Sequence, residues 1–175
     1  NEPSMGILIN YPQLDDSAAS EISRTVTLTT NTPAASKANV AFLGAGNYAG
    51  RVLIPAFKDA GATLSTVVSS GGVSAVHFGE KYGASKASTD SAEIMADASI
   101  DTVVIGTRHN SHAAQVLTAL KAGKHIYCEK PLCLTLEELA EIDEEARARP
   151  SQHLMVGFNR RFAPLVVKAK ALLDT

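Results

Sequence analysis

Short apolar runs recur along most of this chain, and they alternate between two periods. The run NVAFLG (39–44) is apolar almost without interruption and reads as a strand covered on both faces. It gives way to YAGRVLIPAFKDAG (48–61), which has helical spacing and stops on a glycine. TLSTVVSS (63–70) is a second strand, and VSAVHFGEKYG (73–83) a second glycine-terminated helix. A short strand around Ala87 precedes DSAEIMAD (90–97), where Asp90 and Glu93 have the spacing of a capping box. DTVVIGT (101–107), KHIYCEK (124–130) and HLMVGFN (153–159) read as further strands. Between and after them lie the helical segments SHAAQVLTALKAG (111–123), LEELAEIDEEARA (136–148) and APLVVKAKALL (163–173). Thr135 with Glu138 makes a second capping box at the start of the 136–148 helix.

Strands alternating with helices of ten or more residues predict βαβ units. Right-handed crossovers then make an α/β, doubly wound, mostly parallel sheet the natural solution. The first 38 residues do not follow this rhythm. GILINYP (6–12) and RTVTL (24–28) are strand-like but separated by polar and acidic residues, and TTNTPAASK (29–37) has linker chemistry. The expected organisation is a preceding tail and linker over 1–38, a nucleotide-binding domain over 39–158, and from 159 to 175 the start of a connection onward. The chain begins with Asn1 and shows no signal-peptide pattern, so it is read as a piece of a longer polypeptide.

Composition narrows the functions. A net charge of −2, with 19% charged and 45% hydrophobic residues, is ordinary globular composition with no basic footprint for nucleic acid. No apolar run approaches the length of a membrane span. Two cysteines, Cys128 and Cys133, do not make a disulfide framework, and a reducing, cytoplasmic setting is expected.

The chemistry-bearing residues fall where the strands are expected to end. GAGNYA (44–49) fits G-x-G-x-x-G/A between the first strand of the series and its helix. Gly44 permits the tight turn, Gly46 lets a pyrophosphate approach the backbone, and Ala49 lets helix and strand pack closely. Gly44, Ala45, Gly46, Asn47 and Tyr48 are the expected cofactor contacts, with the amides of Asn47 and Tyr48 at the positive end of the helix. No Gly-Lys-Ser/Thr follows, which excludes a P-loop. An acid that would hold the ribose of NAD is expected about 20 residues on. Ser69 and Ser70 stand there instead, followed by Gly71 and Gly72. They are either a flexible loop or hydroxyl partners for a ribose or a 2′-phosphate. With no acid to repel that phosphate and no adjacent cation to attract it, the expected cofactor is NAD or NADP. The run YCEKPL (127–132) carries a carboxylate and an amine out of a strand, where the amine could exchange a proton with a substrate oxygen as hydride moves.

The order FLGAGNYA, TRHNSHAAQVLTALKAGKHIYCEKPL, MVGFNRRFAP resembles the glucose–fructose oxidoreductase/inositol dehydrogenase family, also called Gfo/Idh/MocA, over about residues 39–168. That resemblance implies a Rossmann NAD(P)-binding fold in a fragment lacking the C-terminal substrate domain. It implies that Lys130 is the catalytic acid–base group and also lies against the cofactor. Glu129 would contact the nicotinamide ribose, Pro131 would shape the turn, and Asn159 would stand at the mouth of the nicotinamide pocket. Thr107, Arg108 and His112 match the family's Thr-Pro-x-x-x-His cofactor pattern, with Arg108 in place of the usual proline. It further implies a sugar, inositol or other polyol as substrate and a homo-oligomer formed through the further domain. Residues 1–37 resemble, over a short stretch, the joint in two-part bacterial proteins that carry a zinc alcohol-dehydrogenase-like module first.

Competing readings account for less. His109, His112, Cys128 and Cys133 lack the paired spacing of a structural zinc site, so no metal is expected. Cys128 has a lysine two residues away but no partner base, which argues against a nucleophilic thiol. Arg160 and Arg161 suit either a phosphate or an exposed joint. A non-catalytic dinucleotide module would keep GAGNYA but leave Lys130 without a purpose. A methyltransferase would want an acid after the second strand and would leave the Glu-Lys-Pro turn unexplained.

Overall fold

The central strand is β2 (Asn39–Leu43), and its alternation explains why. Val40 and Phe42 pack into one apolar layer, Ala41 and Leu43 into the other, and all four are essentially inaccessible to water. A strand with no solvent-facing side belongs in the middle of a sheet covered on both faces. The computed structural model describes residues 23–29 and 38–174. Its other strands are β1 (Thr25–Thr27), β3 (Thr63–Val68), β4 (Lys86–Ser88), β5 (Thr102–Ile105), β6 (His125–Glu129) and β7 (Leu154–Gly157). They form one seven-stranded sheet in the order β1-β4-β3-β2-β5-β6-β7, parallel from β2 to β7. The order builds outward from β2 in one direction and then in the other, so β2 and β5 flank the point where the topology switches.

The helices are α1 (Ile54–Asp59), α2 (Val73–Tyr82), α3 (Ala92–Ala96), α4 (His112–Lys121), α5 (Leu136–Arg147) and α6 (Pro164–Leu173). One layer sets α4 and Ile142 of α5 against Val103, Ile105, Ile126 and Cys128. The other sets Leu53, Ile54 and the α2 residues Ala75 and Phe78 against Val40, Phe42, Val67 and Val104. Tertiary structure modifies the expected 48–61 helix, because Ala49–Leu53 form a wider π turn before α1 begins. Gly50 lies there directly against Phe78, whose ring carbons are 2.3 Å from where a Cβ would stand.

Two other expectations are revised. Thr25–Thr27, assigned to the preceding tail, pair antiparallel with β4 and extend the sheet across the boundary drawn at residue 38. GILINYP and most of the linker lie outside the described residues. The Asp90–Glu93 capping box does not form. Asp90 Oδ1 accepts from the Ala92 amide at 2.8 Å, while Glu93 is taken by the Thr25 hydroxyl, a long-range partner invisible to local spacing. The Thr135–Glu138 box does form, with Thr135 Oγ1 accepting from the Glu138 amide at 3.1 Å and Glu138 Oε2 from the Thr135 amide at 3.2 Å.

Ala-Gly-Lys-His (122–125) is a stop signal with an anchor. Gly123 takes φ +78° after α4, and the buried Lys124 ammonium donates to the carbonyls of Asp97 at 2.6 Å and Ile100 at 2.8 Å. Those bonds fix the connection into β5 at the amino end of the sheet, away from the residues that carry chemistry. Because Thr135 is exposed and its side chain bonds only the first turn of α5, Thr135→Ala should cost about 1 kcal/mol in urea unfolding and leave ligand affinity unchanged.

Candidate cofactor and active site

Gly44 makes the first turn at the carboxyl edge. Its φ is +97°, and a Cβ there would stand 2.6 Å from the Gly106 carbonyl oxygen. Only glycine adopts that conformation and permits that approach. The Gly44 amide donates to the Val68 carbonyl at 2.9 Å and the Gly106 amide to the Leu43 carbonyl at 2.8 Å, so the ends of β3, β2 and β5 are tied together. Gly46 differs: it is exposed, with no atom within 4 Å of a Cβ position. The fold does not need glycine there, and the space beside it stands open. Ala49 is buried, 3.6 Å from where a Cβ on Gly106 would be, and lets the helix settle close against β5.

The three strand ends open a cleft of about 690 Å3. Among the expected contacts it brings together Gly44, Ala45, Gly46, Ser69, Ser70, Thr107 and Arg108. Sequence reasoning missed Ser74, Thr89, Ser91, Asn110, Ser111 and Gln115, which line the same cleft. Their signal was position: each lies just past a carboxyl strand end or on the first turns of the helix that follows. Among the described residues the cleft wall is hydroxyl-rich, contains no carboxylate, and has Arg108 as its one charged side chain. Thr107 is held rigidly, since its hydroxyl donates to Gln115 Oε1 at 2.7 Å and lies 2.9 Å from the Ser111 hydroxyl, which donates to the Arg108 carbonyl at 2.7 Å. Ser69 Oγ accepts from the Ala75 amide at 3.2 Å and fixes the turn into α2.

Asn47, Tyr48, Glu129, Lys130 and Asn159 do not line that cleft. Glu129 ends β6, and Lys130 is exposed on the turn beyond it. Among the described residues the Lys130 ammonium has no hydrogen-bond or ion-pair partner, which leaves it available to a substrate. Glu129 Oε1 accepts from the Tyr127 hydroxyl at 3.0 Å. Burial first, and then this bond to Glu129, raise the Tyr127 phenol far above its ordinary range, so Tyr127 stays a neutral donor that aims the carboxylate. Gly157 makes the arrangement possible, because a Cβ there would fall 2.7 Å from the Tyr127 oxygen and 2.8 Å from Glu129 Oε1. Asn159 Nδ2 donates to the Tyr48 hydroxyl at 3.1 Å and joins the segment after β7 to the glycine turn.

His112 departs from the expectation that it contacts the cofactor. It is fully buried, with Nδ1 2.7 Å from the Pro131 carbonyl oxygen and Nε2 3.2 Å from that of Thr107. It supports the site from behind. Cys128 is also fully buried, and burial, then the Glu129 charge, push its thiol up to about 12, which removes it as a nucleophile. Arg161 lies over the rings of Phe158 and Phe162, at 5.9 and 5.8 Å. Among the described residues no group of three or more His, Cys, Asp or Glu side chains could hold a metal, and no helix is long and apolar enough to cross a membrane.

This geometry has parallels of known chemistry. The chain is 40% identical over 95 residues to a myo-inositol 2-dehydrogenase of Thermotoga maritima, a match covering 54% of this chain and 28% of that protein. It is 32% identical over 105 residues to a 1,5-anhydro-D-fructose reductase of Ensifer adhaerens, covering 60% and 32%. The structure of a scyllo-inositol dehydrogenase from Lactobacillus casei superposes with a TM-score of 0.70 at 26% identity, over 78% of this chain and 41% of that one. The chain thus spans less than half the length of these relatives. Residues 38–158 match the Gfo/Idh/MocA oxidoreductase family's NAD-binding Rossmann fold, and the chain belongs to that family.

Proposed function

We propose that this chain is the cofactor-binding part of a nicotinamide-dependent oxidoreductase acting on a hydroxyl or carbonyl of a sugar, polyol or related small molecule. The observation that carries the reading is the placement of an unpartnered amine, Lys130, at the same sheet edge as the glycine turn. The β6 turn lies two strands from β2, about 10 Å in strand spacings. A dinucleotide fits the residues present. Gly46 leaves the space a pyrophosphate would fill, the amides of Asn47 and Tyr48 open the following helix, and the hydroxyl-rich wall with Arg108 accepts a ribose with or without a 2′-phosphate. NAD or NADP would supply the hydride acceptor or donor. The protein's own part is to hold that cofactor along the cleft, with Glu129 directed at the nicotinamide ribose and Asn159 at the pocket mouth. Lys130 takes the proton from a substrate hydroxyl during oxidation and returns it during reduction.

The substrate-holding groups belong, on this reading, to a further domain entered after residue 158. Phe158, Phe162 and Leu165 are 56%, 65% and 81% exposed and give such a domain apolar surface to cover. The complete protein is read as a cytoplasmic homo-oligomer. This 175-residue chain should bind a dinucleotide and not turn over, because the reacting carbon must be held within roughly 3–3.5 Å of its partner. A non-catalytic dinucleotide module is the second reading, and the free Lys130 amine disfavours it.

Gly46→Val should melt at the wild-type temperature, since a side chain there meets nothing in the protein, yet weaken dinucleotide binding at least about 100-fold, roughly 2.7 kcal/mol. Retained affinity in a calorimetric titration would reduce GAGNYA to a turn. The same titration should find NADPH and NADH within about 100-fold of each other, and Arg108→Ala should weaken NADPH more than NADH. Equal losses would place Arg108 away from the 2′-phosphate. In the complete enzyme, Lys130→Met should lower kcat by about 10²–10⁴-fold with the cofactor Kd unchanged. An unaffected rate would remove Lys130 from the chemistry.

A further inference from the structure

Lys130 can act only if its turn is held, and no bond of its own side chain holds it. The described structure gives residues 130–133 one hydrogen bond, from His112 Nδ1 to the Pro131 carbonyl at 2.7 Å. Leu132 and Cys133 pack against the apolar layer below, which restrains depth but not direction. His112 is the first residue of α4, and its other nitrogen faces the carbonyl of Thr107, 3.2 Å away. Thr107 is the cleft residue whose hydroxyl is locked to Gln115. One buried imidazole therefore stands between the turn that carries the amine and the turn that lines the cofactor cleft.

The chemistry of that position is restrictive. Carbonyl oxygens only accept, so each contact needs an N–H on the ring. The shorter contact, at Nδ1, is the one on which the ring's donor matters most. His112 is fully buried and Pro131 half-buried, so losing the bond frees the Pro131 carbonyl and with it the direction of the turn. An apolar replacement would fill the volume and still release the Pro131 carbonyl.

We infer that His112 is a positioning residue for the reaction: its Nδ1–H fixes the Pro131 carbonyl and thereby sets where the Lys130 amine stands relative to the cofactor cleft. This rests on the reading of Lys130 as the acid–base group. Donor position, not bulk, is then what matters. An asparagine places its amide nitrogen near the Nδ1 site, a glutamine places its own near Nε2, and a leucine supplies volume alone.

The test compares His112→Asn, His112→Gln and His112→Leu in the complete enzyme, with dinucleotide Kd, kcat and amide hydrogen exchange read on each. The expected result is kcat within about threefold of wild type for Asn and about 10–100-fold lower for Gln and Leu, since a displacement near 1 Å can cost about 10²-fold. Dinucleotide Kd should stay within about threefold throughout. The amides of Lys130, Leu132 and Cys133 should exchange faster in Gln and Leu and as in wild type for Asn. Equal losses in all three variants, or a Kd that weakens in step with kcat, would mean that His112 only packs, and the inference falls. If wild type binds a dinucleotide but Lys130→Met leaves the rate unchanged, the reading of Lys130 fails instead. The exchange pattern then still decides whether His112 fixes the turn: an Asn-specific rescue upholds that and its absence overturns it. Should the Leu variant not fold, the Asn and Gln pair carries the comparison.

Discussion

Two backbone segments meet where the sheet changes direction, and the site is organised around their approach. The loop leaving β2 passes so near the loop leaving β5 that neither Gly44 nor its φ of +97° could be given to another residue. With these loops touching, β2, β3 and β5 finish at a common level and a cleft opens above them. A side chain at Gly44 would force the two loops apart and separate the walls that Ser69 and Thr107 contribute. Gly46, two residues away, has the opposite status, because the fold places nothing against it. One glycine is required by the fold; the other, on the proposed reading, by what the protein binds.

A second constraint of the same kind sits two strands away. Gly157 lets β7 pass beside the Tyr127–Glu129 pair, where any Cβ would displace a carboxylate oxygen. The phenol, kept protonated by burial and by the carboxylate it serves, gives Glu129 a fixed orientation without neutralising it. Lys130 receives no comparable side-chain partner. On the proposed role of Lys130, an amine paired with a carboxylate would be better ordered but less able to exchange a proton with a substrate, so its order would come through the backbone. Support is therefore delivered to Pro131, one residue on, from the neighbouring strand's helix.

Much of this was legible in the chain. The continuous apolar run NVAFLG marked β2 as buried on both faces, glycine stops marked the ends of the 48–61 and 73–83 helices, and GAGNYA and Glu-Lys-Pro fell at strand ends where an open parallel sheet binds its ligands. What could not be read were pairings between distant positions. Nothing near Glu93 says that it will answer Thr25 and leave the cap at Asp90, and nothing near RTVTL says that it will close the β4 edge. His112 illustrates the difficulty most directly. Family spacing assigned it to the cofactor, but its ring turns inward, and only the proximity of residues 107, 112 and 131 in space shows why.

The division of labour between backbone and side chains explains why this site survives extensive sequence change. On the proposed reading, recognition at the glycine turn uses amides and free space, which many sequences supply provided two glycines and a small residue at Ala49 are kept. The layers beneath require apolar residues of suitable total volume and tolerate many combinations. Relatives can therefore share this arrangement while most residues differ. The tightest points are those where one atom fixes another at hydrogen-bond distance or a Cβ has no room: Gly44 against the Gly106 backbone, Gly157 beside the ends of the Tyr127 and Glu129 side chains, and His112 beneath Pro131. None of these three contacts lines the cleft through its own side chain, yet together they set where the cleft, the carboxylate and the amine stand.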